Sequence, residues 1–217
     1  MIRFRDRAAA GAQLAQKLRA YAGRNAVVLA LPRGGVPVAA AVAAALGAPL
    51  DIVLARKIGA PRQPELALGA VVDGAEPTIV RNDEILAATD VSAAEFASIC
   101  KRELAEIERR RRRYLGARLP VDIAGRVAII VDDGIATGAT IRAALRATRR
   151  RQPAHLVLAV PVAAAGALES LRPEADAVVC LATPERFHGV GEFYDDFRQL
   201  RDEEVTAALA PTPVAAA

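Results

Sequence analysis

Between Ala26 and Leu181, short apolar runs alternate with longer stretches whose apolar residues recur every three or four positions. The runs Ala26–Leu31, Leu50–Ala55, Leu66–Val72, Thr78–Val80, Arg126–Val131, His155–Pro161 and Ala177–Leu181 have the length and bounding residues of buried strands. Helical spacing covers Val36–Leu46, closed by Gly47, then Ser92–Tyr114, Ala139–Arg149 and Ala163–Leu171. An earlier helix, Phe4–Tyr21, has its stop signal at Gly23. Strands without a polar face, separated by helices, predict an α/β fold: a doubly wound, mostly parallel sheet covered on both sides. Ligands of such folds bind beyond the carboxyl ends of the strands, which directs attention to the loops after Leu31, Ala55, Val131 and Pro161.

A chain of 217 residues, 53% apolar and 25% charged, predicts one domain with its own core. Its expected parts are an N-terminal helix (1–24), a core (25–181) and a terminal hood and tail (182–217). No apolar run reaches the about 18–20 residues that cross a bilayer, so no membrane partner is expected. Met1–Gly23 is rich in arginine, but Asp6 interrupts it and no apolar leader follows, so it reads as an ordinary first helix. Two distant cysteines, Cys100 and Cys180, and two histidines, His155 and His188, offer no zinc spacing and suit a reducing cytoplasm.

The long helix carries its own start signal, because Ser92 followed by Glu95 forms a capping box. Near its end lies Arg109–Arg113, which invites a nucleic-acid reading, as does Arg149–Arg151. Successive helix residues turn by about 100°, so five arginines in a row encircle the helix. Glu106 can reach Arg110 and Glu108 can reach Arg112, and no aromatic residues interleave the run as in a single-strand binder. No nucleic-acid partner is expected.

The chemistry concentrates in Val127–Thr140. An apolar strand ends in Asp132 and Asp133, and the small-residue loop Gly134-Ile135-Ala136-Thr137-Gly138 leads through Ala139 and Thr140 into a helix. Glycines let the backbone turn and approach a ligand, while helix N-terminal amides and threonine hydroxyls donate to an anion. Two carboxylates beside a phosphate would repel it unless they face hydroxyls or a cation, a combination that a ribose 5-phosphate satisfies.

This stretch resembles the phosphoribosyl pyrophosphate (PRPP) signature of the type I phosphoribosyltransferases. The resemblance implies that Asp132 and Asp133 hold the ribose hydroxyls, and that Gly134, Ile135, Ala136, Thr137, Gly138, Ala139 and Thr140 hold the 5′-phosphate. It also implies a pyrophosphate loop after the first core strand, where Pro32-Arg33-Gly34-Gly35 stands, with a cis peptide expected at Pro32–Arg33. Arg56-Lys57 is similar to the family's basic pair, placed at the start of a mobile catalytic loop over Ala55–Glu65. Arg33, Gly34, Gly35, Arg56 and Lys57 would thus engage pyrophosphate, with Arg56, Lys57 and Asp133 catalytic. Mg²⁺ would travel with PRPP, and Asp132 and Asp133 would touch its hydration shell.

The family implies a core with the long helix inserted and a hood over the acceptor. Ala182–Leu200 would supply the hood, since it concentrates Phe187, Phe193, Tyr194 and Phe197, which suit either stacking on a planar acceptor or packing onto the core; His188 is a weaker candidate base. One departure stands out: Ala136 offers a methyl where 6-oxopurine transferases carry a carboxylate. The expected function is phosphoribosyl transfer from PRPP to an unidentified, nitrogenous acceptor, with a homodimer compatible with the fold. A non-catalytic PRPP- or nucleotide-sensing regulator is the alternative.

Overall fold

The computed structural model describes residues 2–73 and 77–210. Residues 211–217, the end of the segment expected as tail, lie outside them. In chain order the elements are α1 (Arg7–Lys17), β1 (Ala26–Ala30), α2 (Gly35–Leu46), β2 (Leu50–Ile52), β3 (Ala55–Ala60), β4 (Gln63–Val72) and β5 (Thr78–Arg81). They continue with α3 (Asp83–Ala87), α4 (Ala93–Leu115), β6 (Val127–Val131), α5 (Ala139–Arg150), β7 (His155–Val162), α6 (Ala165–Leu171), β8 (Ala177–Ala182) and α7 (Asp202–Leu209).

Strands β2-β1-β6-β7-β8 form a five-stranded parallel sheet in that order. Successive strand residues point to opposite faces, and here both faces are dry. Val28, Ala30, Ile129 and Val131 join a core with α1 and α2, while Val27, Leu29, Ala128 and Ile130 join a second core with α5. Burying each of these Val, Leu and Ile side chains is worth about 1.5–3 kcal/mol, which is why the runs carry no polar alternation. From β1 the chain moves outward to β2, and from β6 it moves the other way to β7 and β8. β1 and β6 are therefore neighbours whose connections diverge, and a crevice opens between the loops that follow them.

Residues 55–72 and 78–81 depart from the expected arrangement. Instead of a flexible loop at Ala55–Glu65 followed by two strands of the main sheet, they form a separate antiparallel sheet, β3-β4-β5, with Pro61 and Arg62 between β3 and β4. Pairing with β5 covers only Gly69–Val72 of β4, so Pro64, which has no N–H to give, stands where no β5 partner needs one. This sheet lies between α4 and α5. Ile58, Leu68 and Val71 face the α4 side, and Ala70 and Val72 face the α5 side.

The first helix is shorter than the expected Phe4–Tyr21. The Asp6 carboxylate accepts from Ala9 N at 2.7 Å and caps α1, while Phe4 instead bridges to Tyr194. The capping box of Ser92 and Glu95 opens α4 as expected. All five arginines of 109–113 are ion-paired, to Glu106, Asp73, Glu108, Asp202 and Glu203.

The segment after α4 is pinned to β2 by Asp51, which is 2% exposed. Its carboxylate accepts from Arg118 Nη2 at 3.0 Å, Val121 N at 2.7 Å and Ile52 N at 2.9 Å. Replacing Asp51 by alanine leaves two backbone N–H groups without their acceptor and removes the charged partner of Arg118, and should cost about 3 kcal/mol. Urea unfolding of Asp51→Ala should show this as a lower midpoint at unchanged slope.

Candidate functional site

Two loops face each other across the crevice between β1 and β6. Leu31 N donates to Val131 O at 2.9 Å, carrying the strand pairing one residue into the loops. The Pro32–Arg33 peptide that follows is cis, as the resemblance led one to expect. Gly34 and Gly35 are demanded by proximity: a Cβ on Gly34 would lie 2.0 Å from Asp133 Oδ2, and one on Gly35 would lie 2.6 Å from Val131 O. The two glycines of one loop thus rest directly on the acidic end of the other strand. Arg33 extends toward α7, with Nη1 3.7 Å from Asp202 Oδ1. The same carboxylate accepts from Tyr114 OH at 2.7 Å.

Asp132 and Asp133 sit side by side at the end of β6. Asp132 Oδ1 accepts from Asp133 N at 2.9 Å, and Asp133 Oδ2 accepts from Arg7 Nε at 2.7 Å. Tyr194 OH donates to Asp133 O at 2.7 Å. Burial, then the neighbouring charge of Asp133, holds the Asp132 carboxyl well above the usual carboxylate range. Burial also raises Asp133, although the Arg7 guanidinium pulls it back. Two carboxylates that resist ionising together are suited to hydroxyl donors or a cation.

The loop that follows has two parts. Ile135 is fixed to the sheet: its side chain is 1% exposed, its N–H donates to Val162 O, and its C=O accepts from Ala164 N. Its amide is therefore committed to the fold, which corrects the expectation that Ile135 binds phosphate and makes it a brace for the loop. Beyond it the backbone opens outward. Among the described residues, the amides of 136–141 donate to no backbone or side-chain acceptor, and Ala136, Thr137, Ala139 and Thr140 are exposed. Gly138 turns the chain into α5 at φ 77°, a left-handed conformation that favours glycine. Consecutive unpaired N–H groups at a helix N-terminus form an anion cradle.

The basic pair divides between the two faces of the small sheet. Arg56 Nε pairs with Glu103 on α4 at 2.5 Å. Lys57 borders a cavity of about 410 Å³ between the small sheet and α5, shared with Ala139, Thr140 and Arg142. It also lines a second cavity of about 430 Å³ with Arg56, Arg102 and Glu103. The structure therefore joins Gly34 and Gly35 to the acidic pair, and Lys57 to the start of α5, while it turns Arg56 toward α4. In the hood, Phe193 and Tyr194 are 2% and 3% exposed and pack with Phe4. Packing onto the core thus claims two of the four hood aromatics. His188 is exposed and paired to Glu192. Arg7 and Glu103 carry no sequence signal as contributors, and Tyr194, a hood aromatic, carries none of its bond to Asp133, since each reaches the site from a distant part of the chain.

A row of unpaired amides and a carboxylate pair thus meet at the switch point of a doubly wound α/β sheet. The phosphoribosyl transferase domain model matches residues 4–198, and the chain belongs to that family. It is 47% identical over 206 residues to "Putative phosphoribosyl transferase Rv0571c" of Mycobacterium tuberculosis, across 95% of this chain and 46% of that protein. The chain thus spans about half the length of the curated relatives it matches. Among solved structures, TT1426 from Thermus thermophilus overlays with a TM-score of 0.84 at 44% identity, over 96% of this chain and 98% of that one. A hypothetical protein from Neisseria gonorrhoeae with bound ppGpp shares the fold, with a TM-score of 0.53 at 14% identity over 96% and 97% of the two chains.

The raised carboxyls make a stability prediction. A group whose folded pKa lies above its unfolded value contributes stability at low pH and loses it as pH rises through the folded pKa. Asp132 should therefore weaken the unliganded fold increasingly above about pH 4. Asp132→Asn keeps an oxygen for Asp133 N and removes the charge. Its melting temperature should exceed that of the wild type by a few degrees at pH 7 and converge with it near pH 3; equal gaps at both would contradict the assignment.

Proposed function

We propose that this chain transfers the 5-phosphoribosyl group of PRPP to a nitrogenous acceptor and releases pyrophosphate. The observation that carries the reading is the row of unpaired amides at 136–141 beginning three residues after the acidic pair. In this reading the amides of 136–140, with the Thr137 and Thr140 hydroxyls, hold the 5′-phosphate, and Asp132 and Asp133 accept from the ribose 2′- and 3′-hydroxyls. Gly34 and Gly35 let the pyrophosphate approach the backbone at the start of α2. Arg33 and Lys57 supply positive charge to the departing group, and Arg56 joins them on leaving Glu103. Charge then develops on the sugar as an oxocarbenium-like centre and on the leaving oxygen, where fixed cations lower the barrier.

Mg²⁺ fits this site as a companion of the substrate. Among the described residues no cluster of three or more His, Cys, Asp or Glu could hold a metal, whereas two adjacent hard carboxylates suit the outer shell of an ion held mainly by phosphate oxygens. When bound, the ion would neutralise charge on the pyrophosphate. The acceptor is a small molecule of unassigned identity, without the carboxylate contact that a side chain longer than Ala136 would give. A cytoplasmic setting agrees with the two unpaired cysteines.

The alternative is a PRPP- or nucleotide-responsive binding protein. It draws on the hood, where Phe193 and Tyr194 are taken up in packing, and on the loop after β6, where Ala136 offers no titratable side chain. Pyrophosphate release from PRPP and Mg²⁺ with a panel of nitrogenous bases separates the two readings, since tight binding without turnover favours the regulator.

The acidic pair provides the test of the common part. Replacing both Asp132 and Asp133 by asparagine should weaken PRPP binding by about 100-fold or more, because each charge-assisted hydrogen bond is worth roughly 1.5–3 kcal/mol. Inorganic phosphate, which has no diol, should bind the double variant as well as the wild type or better. Calorimetry showing unchanged PRPP binding and weakened phosphate would overturn the ribose reading.

A further inference from the structure

We propose that Arg7 is a positioning residue for sugar recognition: it anchors the Asp133 carboxylate so that the acidic pair offers one oxygen from each residue to a vicinal diol. The inference rests on the ribose reading of Asp132 and Asp133. Arg7 stands at the first position of α1, 126 residues from Asp133 in sequence. An arginine there would normally point to solvent, yet its side chain is 10% exposed and that of Asp133 is 14% exposed.

Three contacts fix the guanidinium. Nε donates to Asp133 Oδ2 at 2.7 Å, Nη1 donates to Arg198 O at 3.0 Å, and the guanidinium carbon lies 3.9 Å from the centroid of the Phe197 ring. A planar, delocalised cation can satisfy a carboxylate, a carbonyl and a ring face at once; an ammonium cannot. On its other side the Asp133 carboxylate abuts Gly34, where even a Cβ would reach to 2.0 Å of Oδ2. The carboxylate is thus wedged between α1 and the loop after β1.

The hydrogen bonds then partition the oxygens. Asp133 Oδ2 belongs to Arg7 and Asp132 Oδ1 to the Asp133 amide. Asp133 Oδ1 and Asp132 Oδ2 meet no protein donor among the described residues. One acceptor remains on each carboxylate, which matches two hydroxyls on adjacent carbons. Without Arg7 the Asp133 carboxylate could rotate and present either oxygen, so the match would be lost while the phosphate cradle at 136–140 stayed intact.

The test compares ribose 5-phosphate with 2-deoxyribose 5-phosphate, which share the phosphate and differ by one hydroxyl. The wild type should prefer the ribose compound by about tenfold, the worth of one charge-assisted hydrogen bond. Arg7→Met should reduce that preference to within about threefold by weakening ribose 5-phosphate alone, and Arg7→Lys should restore part of it. Phe197→Leu, which keeps the ion pair and removes the ring that seats it, should also lower the preference and serves if Arg7→Met does not fold. Variants that keep the wild-type preference, or that lose both ligands equally, would overturn the inference and make Arg7 a brace of the fold. A wild type that binds both sugars alike would instead remove the ribose reading on which the inference stands.

Discussion

Two adjacent carboxylates at the end of a buried strand repel each other and lose hydration, and the surrounding structure answers that cost from several directions. Burial raises both groups. The Asp133 amide turns back to Asp132, Arg7 arrives from the first helix, and Tyr194 from the hood holds the Asp133 carbonyl. Glycines at 34 and 35 are what let the neighbouring loop close on the pair. A pair kept under this tension is destabilising when empty and favourable when hydroxyls or a cation complete it, which is the behaviour expected of a binding site. Segments far apart in the chain converge on one point because no local structure could compensate two charges in a dry place.

The parallel pairing of β1 with β6 decides what else can be near that point. Their connections diverge, so the loops after both strands share one crevice. Placing the small antiparallel sheet between α4 and α5 brings Lys57 to the first turn of α5. It also turns the preceding residue, Arg56, the other way, because adjacent strand residues point to opposite faces. Arg56 thereby starts toward α4, where Glu103 pairs with it, while Lys57 borders the cavities on both sides of the small sheet.

What was legible in the sequence was what is locally encoded. The strand Val127–Val131, the small-residue loop and the helix from Ala139 follow one another in sequence, and every residue of β1 is buried, as its unbroken apolar run requires. The capping box at Ser92 and Glu95 was readable for the same reason. Ala55–Ala60 was not, because a sheet covered by α4 on one face and α5 on the other shows neither clean alternation nor an unbroken apolar run when it also carries Arg56 and Lys57. Nothing in a Gly-Ile-Ala-Thr-Gly loop says that its second residue bonds back to β7. Arg7 was invisible as a site residue: in so arginine-rich a chain, another arginine in an amphipathic helix has no signature of a partner 126 positions away.

Many of the arginines behind the net charge of +4 are drawn into ion pairs. Arg146 and Arg149 make two-pronged contacts with Glu174 and Asp176, a fork geometry that lysine does not have. The ladder on α4 is likewise paired at every step, partly to its own helix and partly to Asp73 and α7. A guanidinium held by a carboxylate is a poor ligand for a phosphate backbone, since binding would first have to break the internal pair. Exposed pairs of this kind add little stability each. The row of unpaired amides at 136–141 is then the feature that most strongly favours an anion, and it attracts through fixed dipoles pointed at one place rather than through diffuse charge.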